Sequence, residues 1–458
     1  MEKVPNEVLD LILSHLTAHR KNDDLYHARL VNRRWNQLAI KHTFSTITLH
    51  NSSNTAPEGF QSWHKLLGQQ SVRATAQRVI IHTWPDNTRK DEGPFCCDWD
   101  KWEYDGEWPE FTSAVDRIIE LDHLQTLEIH FSDMCRGEES HWNEYGGTAN
   151  DREMPGERKA ALEAVYKAVK EREARGRQEN GVKVSPIREL RVNRLQNIHP
   201  PDVLMNGLLK GIERFHLNVV DEQNSFLNFH DFEMPEKLEF DGILRNKILA
   251  PIADQLVELS IGAQYEWGIL PARFEGKGLE FPKLKKLKLD FYAIGYYDQM
   301  DWVIAQKSLT SLHLDNCQIV THLHFTGEDE EWDIPTDDWK QSNDDPFLLE
   351  GARNYTFDLR WNTIFDKISH GLPKLTEFRA TWTDLTGSKE DFSRRYISFS
   401  SSNFPVPFAE VELESRINEW KDGPWNVDIT ACEIDVAALE ALKKTVYERR
   451  KGQGMYKD

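Results

Sequence analysis

The 458-residue chain carries a formal net charge of −20, which argues against general affinity for nucleic acids or anionic membranes. Its length fits two or three domains, and no apolar run approaches the roughly 20 residues needed to span a bilayer. The five cysteines form an odd set without framework spacing, and the first residues do not resemble a signal peptide. These features predict a cytoplasmic or nuclear protein, since thiols stay reduced there.

Two short amphipathic helices are predicted at the start of the chain, over residues 4–16 and 28–39. In the first, one face holds Val8, Leu9, Ile12, Leu13 and Leu16. In the second, one stripe holds Ala28, Val31, Trp35 and Leu38. Helices this short cannot cover so much apolar surface themselves, so the pattern predicts a partner.

The order and spacing of these residues resemble the F-box. Its pattern runs Leu-Pro-x-Glu-(Ile/Val)-Leu-x-x-Ile-(Leu/Phe)-x-x-Leu, followed by Leu-(Val/Ala)-(Cys/Ser)-(Arg/Lys)-x-Trp. Matching positions are Pro5, Glu7, Val8, Leu9, Ile12, Leu13, Leu16, Leu30, Val31, Arg33 and Trp35. Val4 and Asn32 depart from the pattern, because the family has Leu at the first position and Cys or Ser at the second.

The resemblance implies a helical domain over residues 1–45 that docks onto the Skp-type adaptor of a cullin-RING ubiquitin ligase. The adaptor-binding residues that it implies are Val4, Pro5, Val8, Leu9, Ile12, Leu13, Leu16, Leu30, Val31 and Trp35. The alternative is a helical hairpin that only caps the next domain.

A second pattern, apolar-x-x-apolar-x-apolar, recurs through the rest of the chain. It begins at Phe44, Ala76, Leu124, Ile187, Ile212, Pro235 (weakly), Leu256, Leu284, Leu309 and Leu375. Between residues 187 and 309 the spacing is 21–28 residues, within the leucine-rich-repeat range of about 20–29. In such a repeat the last two apolar residues lie on a short strand and both point inward, and stacked repeats share one core.

The predicted fold is therefore mixed α/β, with the helical F-box followed by an irregular leucine-rich-repeat-like solenoid of parallel strands and long inserted loops. The solenoid is placed at 46–383, and a C-terminal cap or tail at 384–458 contains a helix at about 433–450. That helix has Val436, Leu439, Leu442 and Val446 on one face. An irregular α/β domain with short strands is the alternative.

Three stretches interrupt the repeats. Residues 82–111 are rich in tryptophan, residues 136–186 contain a predicted helix at 156–175, and residues 321–360 include ten acids and a single lysine within 322–350. Aromatic side chains often dominate binding surfaces, so Trp99, Trp102 and Trp108 are candidate target contacts. The alternative is that they anchor a long loop onto the solenoid, and the acidic run could be a solvated loop or a contact for a basic partner.

The chain contains no nucleophile elbow, phosphate-binding loop, zincin motif or dinucleotide fingerprint. The Cys96–Cys97 pair and the His322-x-His324 pair are the closest approaches to metal-binding motifs, and neither provides a full ligand set. The sequence therefore predicts no active site, no metal, no cofactor and no enzyme activity.

The sequence thus predicts a substrate-recognition subunit of an SCF-type ubiquitin ligase. The repeat domain would hold an unidentified target on one concave strand face. The outward strand positions are Glu189, Arg191, Arg214, His216, Glu258, Lys286, Lys288, His313, Glu377 and Arg379. Two alternatives stay open: an adaptor-bound F-box protein with a structural or trafficking role, and an enzyme with an F-box-like appendage. One F-box followed by divergent repeats also resembles many F-box proteins of filamentous fungi.

Overall fold

The computed structural model describes sixteen ranges of the chain. They are residues 4–18, 22–52, 59–85, 102, 107–133, 135, 153–177, 183–221, 235–264, 266–269, 272–325, 335–342, 353–381, 392–400, 403–407 and 429–453. These residues form two compact units. The first runs to Gln196 and includes Pro200–Ile212, and the second contains Asn197–His199, Glu213–Asp221 and the described residues from Pro235 onward.

Three helices open the first unit: α1 (Asn6–Ala18), α2 (Asn22–Val31) and α3 (Arg33–Thr43). Their shared core consists of Leu13, Leu25, Ala28 and Ala39, with Leu16, Trp35 and Leu38 packed against it. The prediction of one helix over residues 28–39 is wrong, because the chain breaks at Asn32. Asn32 has extended backbone, and its side-chain oxygen accepts a hydrogen bond of 3.0 Å from the Trp35 N–H, so it caps α3.

Parallel strands follow in the first unit, in the order β1 (Thr46–Leu49), β2 (Arg78–His82), β3 (Thr126–His130) and β4 (Glu189–Gln196). Helices α4 (Gln61–Leu67), α5 (Gln70–Arg73), α6 (Pro109–Asp116) and α7 (Pro155–Gly176) lie between them in the sequence. The predicted inward residues are buried: Ile47, Leu49, Val79, Ile81, Leu127, Ile129, Leu190 and Val192.

The second unit repeats the arrangement with β5 (Arg214–Val220), β6 (Glu258–Ala263), β7 (Lys286–Asp290), β9 (Ser311–Asp315) and β13 (Glu377–Thr381), again parallel and in that order. Helices α8 (Pro235–Ile243), α9 (Asp301–Ala305) and α10 (Trp361–Gly371) connect them. The residue that precedes each strand by two or three positions is fully buried at Leu256, Leu284, Leu309 and Leu375. The leucine-rich-repeat-like α/β fold with parallel strands is confirmed.

One predicted repeat is wrong. The triplet beginning at Pro235 lies in helix α8, not in a strand. Pro235 is the first residue of α8, where a proline N–H is not needed, and Lys237, Phe240 and Asp241 are buried at helical spacing.

Helix α7 confirms the helix predicted at 156–175, and two arginines attach it to the strand side of the first unit. Arg172 donates to the carbonyl oxygens of Leu121 (2.6 Å), Asp122 (3.1 Å), Leu124 (3.0 Å) and Ser185 (2.9 Å). Arg158 forms an ion pair of 2.7 Å with the buried Glu153. Burial lowers the pKa of Arg172 to about 10, so this guanidinium remains charged at neutral pH.

A second sheet in the second unit was not predicted. Strand β10 (Gln318–Phe325) lies at its centre, between β12 (Arg353–Thr356) and β14 (Tyr396–Ser400). The outer members are β11 (Lys340–Ser342), β15 (Asn403–Pro407) and the short β8 (Ala293–Ile294). The described parts of the 321–360 insertion are therefore built into a mixed sheet.

The C-terminal helix α11 spans Ile429–Gly452, somewhat longer than predicted. Leu439, Leu442 and Val446 are buried as expected, but Val436 is 43% exposed and Asp435 takes its place on the buried face. Asp435 accepts hydrogen bonds from the Asn362 N–H (2.8 Å) and from the Tyr396 hydroxyl, and Arg449 donates to the carbonyl oxygens of Ser369 and Leu372. The three predicted domain ranges, 1–45, 46–383 and 384–458, stay predictions.

We expect Leu287→Ala to lower the free energy of unfolding by roughly 2–5 kcal/mol, because the side chain is buried among neighbouring strands. The neighbouring Lys286→Ala removes a side chain that is 60% exposed, so it should change stability by about 0.5 kcal/mol or less. Denaturant titration of the two variants checks this. Equal losses would contradict the assignment of inward and outward positions on β7.

We expect Asp435→Ala to destabilise the second unit by about 2 kcal/mol, because the buried Tyr396 hydroxyl and the part-buried Asn362 N–H lose their acceptor. Asp435→Asn keeps one acceptor oxygen and should cost less. A denaturant titration followed by circular dichroism should report the loss. A midpoint equal to that of the wild type in both variants would show that this network does not hold α11 in place.

Candidate functional site

The most distinctive surface of the described chain is a set of exposed apolar side chains on α1 and α2. It consists of Val8 (45% exposed), Leu11 (60%), Ile12 (44%), Tyr26 (47%), Leu30 (82%) and Val31 (50%). We call it the α1–α2 apolar face. Exposed large apolar residues grouped on one small domain indicate an interaction surface.

The ten predicted adaptor-binding residues separate into three groups by exposure. Pro5, Val8, Ile12, Leu30 and Val31 are exposed, and Val4, Leu16 and Trp35 are half-buried. Leu9 and Leu13 are buried within this chain, at 2% and 0% exposure, so they support the helices from inside. Leu11 and Tyr26 are exposed members of the face that the motif did not include, although Leu11 stands at helical spacing from Val8.

Polar contacts fix α1 against α3, and a hydrogen bond of 3.1 Å from Arg29 to the Asn36 side-chain oxygen joins α2 to α3. Asp10 on α1 pairs with Lys41 at 2.6 Å and with His42 at 2.7 Å on α3, and hydrogen bonds from these two side chains lower the pKa of Asp10. Arg34 donates to the Asn6 side-chain oxygen at 2.8 Å and to the Val4 carbonyl. The α1–α2 apolar face is therefore presented by a fixed scaffold.

A second candidate surface is the outward face of strands β1–β4, which we call the first-unit strand face. Glu128 lies at its centre, where Arg78 donates to it from β2 (Nε to Oε2, 3.0 Å) and His130 lies 2.5 Å away on β3. Asn193 on β4 also donates to Glu128, at 3.2 Å. Burial opposes ionisation of Glu128, but the hydrogen bonds from His130 and Arg78 outweigh it and lower its pKa to about 2.

Three imidazoles form a row along this face, one strand apart. The rings of His82 and His130 are stacked, with centroids 5.1 Å apart, and His50 meets His82 edge-on at 6.5 Å. Trp84 contacts His82 at 4.6 Å, and the Arg194 guanidinium lies 5.9 Å from the Trp84 ring centroid. The repeat pattern gave no sign of this row, because it arises from the register between strands that are distant in sequence.

The outward face of the second unit carries most of the predicted target-binding residues. Glu258 lies 3.8 Å from His216 and 3.6 Å from Lys286. Glu377 lies 3.3 Å from His313 and 3.2 Å from Arg379. Lys288 pairs with Asp315 at 3.0 Å and with Asp290 at 3.5 Å, whereas Arg214 is half-buried. Acids and bases alternate on this face and pair with one another.

The structure places Trp102 and Trp108 in the interior of the first unit, at 5% and 3% exposure. Their rings pack on each other at 5.4 Å and on Phe111 at 5.4 and 5.5 Å, an arrangement that favours the loop-anchoring interpretation. Trp99 and the Cys96–Cys97 pair lie outside the described residues, as does most of the acidic run.

His322, on strand β10, is half-buried, and burial followed by the charge of Arg360 lowers its pKa to about 4. The side chain of His324 lies outside the described set. Across the described ranges, no three His, Cys, Asp or Glu side chains form a group that could hold a metal ion. None of the helices in those ranges combines the length and apolarity that a membrane crossing requires.

Comparison with protein families finds one match, between residues 1–48 and the model of the F-box-like domain. The matched segment contains helices α1 to α3 and extends into β1. No curated protein matches the chain.

The charge network around Glu128 predicts a pH dependence of stability. Because the folded pKa of about 2 lies below the ordinary 4.5, the contribution of Glu128 is fully present above pH 4.5 and is lost as the pH falls towards 2. We therefore expect Glu128→Gln to cost up to roughly 3 kcal/mol at neutral pH and progressively less in acid.

Denaturant titrations of wild type and Glu128→Gln across this pH range measure the difference directly. Glu163→Gln, at an exposed position on α7, is the matched control and should follow the wild type at every pH. A Glu128→Gln deficit that grew as the pH fell would reverse the expected sign and contradict the network.

Proposed function

The chain is an F-box protein, and from that premise we propose that it is the substrate-recognition subunit of an SCF-type cullin-RING ubiquitin ligase. The observation that carries this proposal is the α1–α2 apolar face, which belongs to the segment matched by the F-box-like model. We propose that a Skp-type adaptor covers this face and connects the chain to a cullin.

The physical basis is the free energy of covering exposed apolar surface. Burying a large aliphatic side chain contributes roughly 1.5–3 kcal/mol, and interface anchors often account for 2 kcal/mol or more each. Leu30, at 82% exposure, and Leu11, at 60%, are the most exposed members of the face. Because Leu9 and Leu13 are already buried within the chain, the exposed residues are the better candidates for direct contact.

Under this proposal the chain is not catalytic. Other subunits perform ubiquitin transfer, and this one raises the effective concentration of target lysines near the loaded conjugating enzyme. The outward strand faces are the proposed target-binding region, because exposed strand faces are the surfaces that repeat proteins commonly use for partners. The two-residue alternation of the strands supports this by presenting a polar layer on each unit.

We expect Ile12→Asp/Leu30→Asp to abolish co-purification of the Skp-type adaptor, since each carboxylate would have to be buried in an apolar interface. The matched control is Ile434→Asp/Val436→Asp, which places the same charges at exposed apolar positions on α11. Circular dichroism of both variants checks that the fold is retained. Retention of adaptor by Ile12→Asp/Leu30→Asp would contradict the proposal.

Affinity purification of wild type and Ile12→Asp/Leu30→Asp separates the two kinds of partner. Proteins captured by the wild type alone belong to the ligase, and proteins captured by both are candidate targets. Recovery of a cullin with the wild type is expected. Adaptor without cullin would instead favour the non-ligase role in structure or trafficking.

A further inference from the structure

The first-unit strand face has its charges arranged in two layers. Strand register places Arg78, Thr126 and Glu189 in one row, Ile80, Glu128 and Arg191 in the next, and His82, His130 and Asn193 in the third. The carboxylates lie underneath: the Glu128 and Glu189 side chains are 8% and 11% exposed, against 34% for both Arg78 and Arg191. Solvent therefore meets mainly guanidinium and imidazole groups on this face.

Acidic side chains are more exposed on the outward face of the second unit. There the Glu377 side chain is 40% exposed and that of Glu258 is 26% exposed, so acids share the surface with Lys286 and Arg379. The chain as a whole carries a net charge of −20. On the first-unit strand face, by contrast, the acidic side chains Glu128 and Glu189 are less exposed than the arginines paired with them. A partner segment that rests on it would meet positive charge and donors of hydrogen bonds.

Arg194 adds a cation at the end of β4 that the local structure holds in place. Its backbone adopts a left-handed conformation (φ 62°), uncommon for a residue with a long side chain, and Arg158 donates to its carbonyl oxygen at 2.6 Å. The guanidinium lies 3.7 Å from Asp133, an exposed residue at the margin, and near the Trp84 ring. Non-glycine residues kept in this conformation often belong to functional surfaces.

We propose that the first-unit strand face binds an acidic segment, rich in Asp and Glu, of the ubiquitination target. The proposal rests on the proposed function. It specifies in addition that the bound segment is acidic and that the first unit binds it. Carboxylates of the segment would lie over the imidazole row of His50, His82 and His130 and would pair with Arg191 and Arg194.

His82, at the centre of the imidazole row, makes this binding dependent on pH. Four groups face His82: His130 on β3, His50 just after β1, Arg194 near the end of β4, and the covered Glu128. Burial, followed by repulsion from His130, His50 and Arg194, lowers the pKa of His82 to about 4, so this ring is neutral at neutral pH. A bound carboxylate would favour the protonated His82 ring, so by linkage an acidic segment binds more tightly as the pH falls from about 7 to 5.

The test uses the full chain co-purified with its adaptor and a fluorescent peptide of alternating Glu and Gly, followed by anisotropy. A Gln and Gly peptide of equal length is the neutral probe. His50→Gln/Arg194→Asn removes an exposed imidazole and a cation outside the Glu128 network, and Asn tolerates the left-handed backbone. The matched control, His123→Gln/Arg177→Asn, makes the same changes at two exposed positions of the first unit that lie outside its strand face, in the turn before β3 and at the end of α7.

The Glu peptide should bind the wild type and weaken by about tenfold in His50→Gln/Arg194→Asn, because one imidazole contact and one guanidinium contact are lost. The control variant should stay within about twofold, and affinity should rise by about twofold or more between pH 7 and pH 5. Any of four results would overturn the inference. They are equal weakening in both variants, tighter binding at higher pH, equal binding of the neutral peptide, and displacement of the Glu peptide by a single-stranded RNA oligonucleotide. Failure of the adaptor to co-purify would instead overturn the proposed function, so the two failures are distinguishable.

Discussion

The alternation of side chains along short parallel strands is the constraint on which the rest of this structure depends. Two residues in each strand point inward, and no single repeat can cover them, so neighbouring repeats must stack. The fully buried Leu259, Leu289 and Leu312 show how completely the stacking excludes water. The same alternation leaves the intervening residues outside, and the register between strands sets those residues into rows.

Much of this fold could be predicted from the sequence, because an inward apolar pair is a local pattern. The triplet at Pro235 is an exception, because the same spacing of apolar residues is compatible with a strand or with a helix. This segment forms a helix, which begins at the proline and buries residues at helical spacing. The second sheet around β10 was missed for the opposite reason: its strands come from well-separated segments, and no short pattern connects them.

The candidate sites also had features that the sequence predicted and features that it did not. The F-box pattern located the α1–α2 apolar face, but it could not separate Leu9, which is buried, from Leu30, which is exposed, because both are apolar at motif positions. It also passed over Leu11 and Tyr26. The layering of charge on the first-unit strand face could not be predicted from the sequence, because it depends on contacts between distant residues. Arg78 and Glu128, for example, are fifty residues apart.

The proposed function requires that α1 and α2 dock onto a Skp-type adaptor while the strand faces remain available. Hydrogen–deuterium exchange of the full chain, with and without purified adaptor, tests this requirement. We expect slower exchange of the amides in Asn6–Ala18 and Asn22–Val31 when the adaptor is present, and unchanged exchange in strands β6, β7 and β9. Protection confined to those strands, or none in the two helices, would contradict it.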